Sequence, residues 1–411
     1  MTGSLDTNPL FPLLDHSVRR DPYPILAELR AAGPLRAGDL VVVGDHATSM
    51  AVLRDPALGN DTLGHPAIAA VLPRAGSPMV LESLFFMDPP EHGRQRSLIS
   101  KSFTPRITGR YEPMIHGVVD RVYAGLAERE SFDAVEYATR ISLGVISELM
   151  AIPEEDVALL KTWSDELALA TEVPTLSAAF RSPDLFAEDE LVGFVKTSFE
   201  IHAYFADLIH KRRRQPGEDL VSSLIEVRDG NESLTRPEIT NVLLNLFAAA
   251  HESVTNVISN GILALHRHRD QLALLREHPE IAPQLVTEVL RYDAPVQLTA
   301  RIALRPTKVG DLEVEPGTVV ILLLAAGNRD EAAFPGADRF EADRTPKNTQ
   351  LSFGAGPHYC IGAALAKQEA QIALTAFATR PTGFDADEDA LDYRRHVVVR
   401  GLRTLPVTLR P

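Results

Sequence analysis

Cysteine is almost absent from this sequence, since its 411 residues include only Cys360. A single thiol excludes an intramolecular disulfide and any zinc or iron–sulfur site that needs several cysteines. The roles left for Cys360 are a small buried apolar residue, a nucleophile and a ligand to one metal ion.

Long apolar runs and an export signal are also missing. The longest purely apolar stretch, residues 319–326, is far shorter than the roughly 20 residues that cross a bilayer. It is therefore a candidate buried strand, and no membrane association is predicted. The first twelve residues lack the basic start and apolar middle of a secretory signal, so we expect a cytoplasmic protein.

An excess of basic charge is likewise absent. The 41 Lys and Arg residues are outnumbered by 56 Asp and Glu, which gives a formal net charge of -15. This balance disfavours nucleic-acid binding and supports solubility. Because no linker-like stretch and no internal repeat divides the chain, we predict one folded unit over residues 1–411 and expect a monomer.

Helical periodicity dominates what is present, above all in residues 91–225. Helix breaks are predicted at Pro105, Pro153, Pro174 and Pro183. Further along, Thr235 and Glu238 form a capping-box pattern with an early proline between them, which opens a long central helix over residues 236–268.

Strand patterns are short and few. Alternating or β-branched residues occur at 40–43 and 300–324, and the tail over 396–409 is typical of a hairpin. Residues 55–83 are rich in Gly, Pro and Ala and are predicted to form a long loop. The prediction is a mainly α fold with a small β region.

The stretch F-G-A-G-P-H-Y-C-I-G surrounds the cysteine. A thiolate bound to iron needs backbone N–H groups aimed at the sulfur and an apolar cover. Gly354, Gly356 and Gly362 let the backbone curl around the sulfur, and Phe353 supplies a cover. Because Cys360 also precedes a predicted helix, the helix N-terminus favours the thiolate form.

This stretch resembles the cysteine-ligand loop of the cytochromes P-450, since it matches F-G-x-G-x-H-x-C-x-G at every fixed position. The resemblance implies the cytochrome P-450 fold, a helix-rich domain with a minor β-sheet domain, and a haem-thiolate monooxygenase. It implies haem b as the cofactor, with its iron held by Cys360 in the loop 351–362, and O2 as co-substrate. The haem-contacting positions of this loop are then Phe353, Gly354, His358 and Gly362.

A pair of cationic side chains lies upstream, where His92 and Arg96 are four residues apart and share one face of a predicted helix. Haem carries two anionic propionates, which suit paired cations through charge-assisted hydrogen bonds. In the family, the residues that match these two, together with those that match Arg301 and His358, bind propionate.

Glu288 and Arg291 match a second family motif, a buried ion-pair network whose third member is an arginine of a later, turn-rich segment. Arg339 is predicted to fill that third position. Breaking a buried pair by removing one partner costs about 3 to 5 kcal/mol. We therefore expect Glu288→Ala or Arg291→Ala to give protein that fails to hold haem.

The middle of the long helix resembles the family's oxygen-binding segment, with Ala249 against the haem and Glu252 and Ser253 as an acid and an alcohol that relay protons to oxygen. Two positions depart from the pattern. Ala250 replaces the usual Gly, and Ser253 replaces the usual Thr. Either departure is compatible with a substrate hydroxyl that helps proton delivery, or with a reaction other than simple hydroxylation.

Family topology also places a substrate pocket beside apolar or small residues of the second half of the chain. They are Val296, Leu298, Thr299, Val398 and Val399. Such a pocket favours a bulky apolar or amphipathic small molecule. We expect its hydroxylation in secondary-metabolite biosynthesis, with epoxidation or oxidative coupling, including on a carrier-protein-bound substrate, as the alternative.

No flavin or reductase segment is recognisable, so electrons are expected from a separate ferredoxin and ferredoxin reductase. A ferredoxin is predicted to dock near Cys360 through cations such as Arg94 and Lys101. Two other classes stay open: a hydrolase or transferase with Cys360 as nucleophile and His358 as base, whose two-residue spacing gives poor geometry, and a haem protein that binds a ligand without turnover.

Overall fold

The computed structural model describes residues 8–61, 84–182 and 185–410. The structure is 59% helical with small sheet regions, which confirms the mainly α prediction. Elements are numbered through the described residues. The helices are α1 (Tyr23–Ala31), α2 (His46–Arg54), α3 (Glu91–Ser100), α4 (Pro105–Thr108), α5 (Glu112–Ala127), α6 (Ala134–Leu149), α7 (Val157–Leu167), α8 (Leu169–Phe180), α9 (Glu188–Arg214), α10 (Leu220–Glu226), α11 (Arg236–Arg267), α12 (Arg269–Glu277), α13 (Ala282–Tyr292), α14 (Leu324–Asn328) and α15 (Ala363–Thr379).

Twelve short strands in the described residues form the sheets. They are β1 (Leu35–Ala37), β2 (Leu40–Val43), β3 (Leu58–Gly59), β4 (Ser131–Asp133), β5 (Thr299–Ala303), β6 (Thr307–Val309), β7 (Leu312–Val314), β8 (Val319–Leu322), β9 (Gly383–Ala386), β10 (Asp392–Tyr393), β11 (Leu402–Thr404) and β12 (Pro406–Arg410). The largest sheet has the order β1-β2-β8-β5-β3. Its strands β2 and β8 pair in parallel, and all residues of both are buried, as expected of β-branched runs in a core.

Two strand predictions need correction. The apolar run 319–326 is a strand only as far as Leu322, because α14 begins at Leu324. The tail is not a hairpin: β11 pairs with β10, whereas β12 pairs with β4 and β9. The tail therefore contributes to two different sheets.

The long central helix, α11, begins where the capping box predicts. The Thr235 backbone N–H donates to the Glu238 carboxylate at 2.6 Å, and the Glu238 N–H donates to the Thr235 hydroxyl at 3.4 Å. The helix runs over 32 residues to Arg267, one residue short of the predicted end. Between residues 241 and 253 several of its positions are partly exposed, among them Ala248, Ala249, Ala250 and Ser253, whereas residues 254–265 are all buried.

Pro174 does not break its helix, contrary to the prediction. Helix α8 runs through it to Phe180 and ends at Arg181, which adopts a left-handed conformation with φ of 52°. Every residue from Glu172 to Phe180 is buried. This packing outweighs the one backbone hydrogen bond that a proline removes.

The residue contacts divide the chain into two compact units. One comprises residues up to Leu58, then 115–142 and 253 onwards, and the other comprises residues 59–114 and 143–252. The prediction of a single catalytic unit over 1–411 stays a prediction. The loop predicted at 55–83 lies mostly outside the described residues, which resume at Leu84. No helix of the described ranges combines the length and apolar character needed to span a bilayer.

Candidate active site

The Cys360 loop, residues 351–362, is a closed turn in front of α15. The Cys360 N–H donates to the Phe353 carbonyl at 2.9 Å, which brings the two ends of the turn together. Gly354 and Gly356 have φ of +67° and +68°, a region that L side chains rarely adopt. At Gly356 a Cβ atom would also lie 2.5 Å from the Leu53 carbonyl oxygen. Glycine is therefore required for the turn to pack on α2.

The turn is open at Gly362. A Cβ atom added at Gly362 would meet nothing within 4 Å among the described residues. Cys360 is half-buried beside it, and Ala363 starts α15 three residues further on. The donor set is a thiol next to a helix N-terminus, which favours its anionic form. These features fit a haem whose iron takes a thiolate ligand.

The loop also has an aromatic and cationic border. The Phe353 and Tyr359 rings lie with centroids 6.3 Å apart, and the Lys367 ammonium lies 5.4 Å from the Phe353 centroid. Phe353 is half-buried, whereas Tyr359 is exposed. Phe353 thus has a cation on its ring, and its role as the apolar cover of the sulfur stays a prediction.

Arg301 and His358 belong to the same compact unit as Cys360. Arg301 lies on β5, where it is buried and donates from Nη1 to the Ala300 carbonyl at 2.8 Å. His358 is partly buried, two residues before Cys360. A guanidinium donates charge-assisted hydrogen bonds to carboxylates, and a haem propionate is one such group.

His92 and Arg96 lie together on α3 in the other compact unit, as their spacing predicts. His92 is buried, and Arg96 is partly buried. Burial lowers the pKa of His92, and the positive charge of Arg96 lowers it further. A neutral His92 next to a charged Arg96 presents N–H donors suited to one anionic group.

The predicted relay residues occupy one turn of α11. Glu252 is buried, whereas Ser253 and, one turn earlier, Ala249 are partly exposed. Residues four apart lie on one ridge of a helix, so Ala249 and Ser253 share a face of α11.

Glu288 and Arg291 form the buried ion pair that the sequence predicts. The Arg291 Nε and Nη2 atoms lie 2.7 and 2.8 Å from the two carboxylate oxygens of Glu288, and both side chains are 1% exposed. The remaining guanidinium hydrogens reach backbone carbonyls of Asn328, Ala337 and Arg339 at 3.1, 2.7 and 2.9 Å. The pair is therefore fully hydrogen-bonded, as a buried charge requires.

The third member of this network is Arg344, and the prediction of Arg339 is wrong. Arg344 Nε donates to Glu288 Oε1 at 3.0 Å, and its side chain is 8% exposed. The Arg339 side chain is 74% exposed and lies 3.4 Å from Glu341. Arg339 contributes through its backbone carbonyl alone, because the turn points its side chain to solvent.

The predicted substrate residues lie in two neighbouring segments of the Cys360 unit. Val296 and Val399 face each other in an isolated antiparallel bridge, and both are at least partly buried. Thr299 begins β5 and is partly exposed. Leu298 instead lines a small interior cavity with residues of the N-terminal segment such as Leu13, which argues against its sharing a wall with Thr299.

The cations predicted to attract a ferredoxin are already paired. Arg94 contacts the carboxylates of Glu91 and Glu238, the first at 2.6 Å. Lys101 lies 3.0 Å from an Asp229 carboxylate oxygen. Neither residue therefore carries an uncompensated charge for docking.

Comparison with known proteins decides the family. The family model described as Cytochrome P450 matches residues 68–380. This chain belongs to the cytochrome P450 family. It is a monooxygenase that uses haem b and O2, a small-molecule substrate and redox partners. The resemblance seen in the sequence is thereby confirmed, and so is the cytochrome P450 fold.

Three similar proteins show how varied the relatives are. The vitamin D(3) 25-hydroxylase of Pseudonocardia autotrophica is 34% identical over 405 residues, which cover 95% of this chain and 94% of the relative. The structure of CYP164A2 of Mycobacterium smegmatis with econazole bound has a TM-score of 0.87 at 35% identity and covers 98% of this P450 and 100% of that chain. P450BioI in complex with an acyl carrier protein ligated to hexadec-9Z-enoic acid has a TM-score of 0.84 at 30% identity, with 96% and 99% covered.

Sequence reasoning missed Arg344 and the residues that hold the P450 tail in place. Arg344 lies in a turn-rich segment without periodicity, where Arg339 and Arg344 are equally plausible. A weak signal was available for the tail, because Arg400-Gly401 follows three apolar residues and an arginine there needs a buried acid. Its partner, Asp293, lies more than 100 residues away, which no local pattern reveals.

Proposed function

We propose that this P450 hydroxylates a bulky apolar or amphipathic small molecule in secondary-metabolite biosynthesis, with electrons from a separate ferredoxin and ferredoxin reductase. The observation that carries the proposal is the Cys360 loop, a glycine-dependent turn that presents a half-buried thiol in front of α15. The small-molecule relatives and the apolar segments around Val296 and Val399 support the choice of substrate class.

When bound, haem b supplies the iron centre at which O2 is activated. In our proposal Cys360 is the iron ligand, and Phe353 covers the sulfur. Four cationic or neutral N–H donors then hold the propionates: His92, Arg96, Arg301 and His358. The burial of Arg301 and His92 supports this role, because buried donors bind anions with little loss to water.

Glu252 and Ser253 are proposed to move protons on the α11 side. Glu252 is buried, and the next residue, Ser253, is partly exposed. The hydroxyl accepts a proton from the acid, directly or through water, and passes its own proton onward. A serine has a freer side chain than threonine, and a polar substrate group that hydrogen-bonds to Ser253 would restrict it.

Two alternatives within the family are also supported, one for the form of the substrate and one for the type of reaction. The neighbouring complex of P450BioI contains a fatty acid attached to an acyl carrier protein, which favours a carrier-bound substrate as the second candidate. Epoxidation or oxidative coupling in place of hydroxylation is the other, since Ala250 and Ser253 depart from the usual residues of the oxygen-binding segment.

The ligand assignment is tested by the absorption spectrum of the reduced protein under carbon monoxide. We expect the long-wavelength Soret band of a thiolate ligand, and we expect Cys360→Ser to lose it because an alcohol is a poor iron ligand. The adjacent Tyr359→Phe variant is the control and keeps the band. Protein that stays colourless after growth with ample haem precursor, or an unchanged spectrum of Cys360→Ser, would contradict the proposal.

Substrate class is tested by the change of haem spin state on adding candidate molecules. The panel includes a secosteroid, a free long-chain fatty acid and the same acid attached to an acyl carrier protein. A response to the free apolar molecules supports the main proposal. A response to the carrier-bound acid alone favours the carrier-bound alternative.

A further inference from the structure

The tail of the chain carries two of the proposed substrate residues, and it is held by backbone hydrogen bonds to the segment after α13. The Gln297 N–H donates to the Val398 carbonyl at 2.8 Å, and the Arg400 N–H donates to the Pro295 carbonyl at 2.8 Å. Residues 397–401 thus lie in a fixed register on the segment that carries Val296. A shift of this register would move both walls of the proposed pocket together.

A buried ion pair fastens this register. Arg400 is 3% exposed, and its Nη1 lies 2.5 Å from Asp293 Oδ1. Its Nε and Nη2 donate to the carbonyls of Arg19 and Arg20 at 2.6 and 3.2 Å. Tyr23 donates its hydroxyl to the same Asp293 oxygen at 3.0 Å. One guanidinium therefore ties the tail to the residue that follows α13 and to the N-terminal segment.

The tail also touches α11 close to Ser253. A Cβ atom on Gly401 would lie 2.0 Å from Oδ1 of Asn256, so the Asn256 amide packs directly on the tail backbone. Asn256 is fully buried and follows Ser253 by three residues. One turn further on, Asn260 donates from Nδ2 to the Asp293 carbonyl at 3.0 Å. Helix α11 thus contacts both Gly401 and Asp293, the residue that binds Arg400.

We propose that Asp293 and Arg400 form a latch that sets the position of residues 397–401 against α11 and thereby determines which substrates fit beside Ser253. Both are positioning residues, since neither is placed against substrate. The inference rests on the proposed function, because it assumes that Val398 and Val399 line the substrate pocket. The proposal gives a role in substrate specificity to Asp293 and Arg400, which hold the segment that carries those two valines.

The test compares two azoles that bind haem iron. Imidazole is small and reports access to the iron, whereas econazole must also fill the space around it. Arg400→Met is expected to weaken econazole binding about tenfold, and imidazole binding is expected to change less than about twofold. The matched control is Arg403→Met on β11, since the Arg403 side chain is 73% exposed and lies 3.8 Å from Asp392. It should change neither constant.

A second set of variants does not disturb the buried charges. Gly401→Ala forces a methyl group onto the Asn256 amide and should weaken econazole binding as Arg400→Met does. Asn256→Ala removes the amide, so the double variant Gly401→Ala, Asn256→Ala is expected to regain at least half of the lost affinity. Such non-additivity identifies a direct contact.

The outcomes separate the latch from the proposed function. If the wild-type protein shows no Soret shift with imidazole, the haem assignment fails, and the latch falls with it. If imidazole binds normally but econazole affinity is unchanged in both Arg400→Met and Gly401→Ala, the latch alone is wrong. Equal losses for both azoles would also overturn it, because they indicate general disruption of the haem site. If Arg400→Met does not fold, the Gly401 and Asn256 variants decide.

Discussion

At the scale of single residues, a buried acid on α15 makes the stability of this P450 depend on pH. Glu369 is 4% exposed, its Oε1 atom has no hydrogen-bond partner among the described residues, and burial raises its pKa from 4.5 to about 8. Between these two values the unfolded chain releases the proton, whereas the folded chain keeps it. The free energy of unfolding therefore falls as the pH rises from about 4.5 to about 8.

Glu369→Gln should remove this pH dependence, because the amide has nearly the same shape and no charge to release. At pH 8 we expect the haem-loaded variant to unfold at a higher temperature than wild type, because its free energy of unfolding is larger by on the order of a few kcal/mol. At pH 5 the two proteins should unfold at similar temperatures. Glu280→Gln is the control, since the Glu280 side chain is 73% exposed. A wild-type melting temperature that is flat from pH 5 to 8 would contradict the account.

The cysteine loop shows what residue patterns predict well. Gly354 and Gly356 have a requirement that is local in sequence, a left-handed backbone conformation. The latch residues Asp293 and Arg400 have no such local signature, because their pairing depends on where the tail returns in the fold. Local geometry was predictable, and long-range pairing was not.

At the scale of elements, the ion pairs of Glu288 join α13 to the turn-rich segment that carries Arg344, and they predict the stability of two variants. Arg344→Met should destabilise the protein by about 3 to 5 kcal/mol, because it leaves the buried Glu288 carboxylate without one of its two cations. Arg339→Met should cost less than about 0.5 kcal/mol, since its side chain is solvated. Midpoints of chemical denaturation and the haem retained after gel filtration measure both effects.

If Arg344→Met and Arg339→Met destabilise the protein equally, the contact between Arg344 and Glu288 is not what makes Arg344 the third member of the network. The pair is well matched, since both arginines belong to the same short segment and both changes remove one positive charge. Their different burial is the property that separates them.

Helix boundaries were predictable where the termini have their own chemistry. Thr235 and Glu238 satisfy each other's backbone N–H groups, so the start of α11 follows from four residues. Pro174 was misjudged because a proline removes only one hydrogen bond, and the helix around it is fully buried. Burial of that kind is decided by the rest of the fold and is not visible in the local sequence.

For the molecule as a whole, the formal net charge of -15 affects how a redox partner docks. A ferredoxin that is itself acidic would be repelled unless the docking surface has local positive charge. Arg54 is an exposed cation at the end of α2, and its Cα lies only 3.2 Å from where a Cβ of Gly356 would be. It therefore stands at the Cys360 loop and is a better docking candidate than the paired Arg94.

Arg54→Glu is expected to lower the rate of reduction by an acidic ferredoxin about tenfold at low ionic strength, and the difference from wild type should shrink as salt screens the charges. The control is Arg305→Glu, an exposed arginine after β5, which changes the net charge by the same two units. Stopped-flow reduction under carbon monoxide measures both rates. If reduction of the two variants is slowed equally, overall charge repulsion governs the encounter, and the position of Arg54 does not matter. If only Arg54→Glu slows, the local field at the Cys360 loop overcomes the repulsion of the whole molecule.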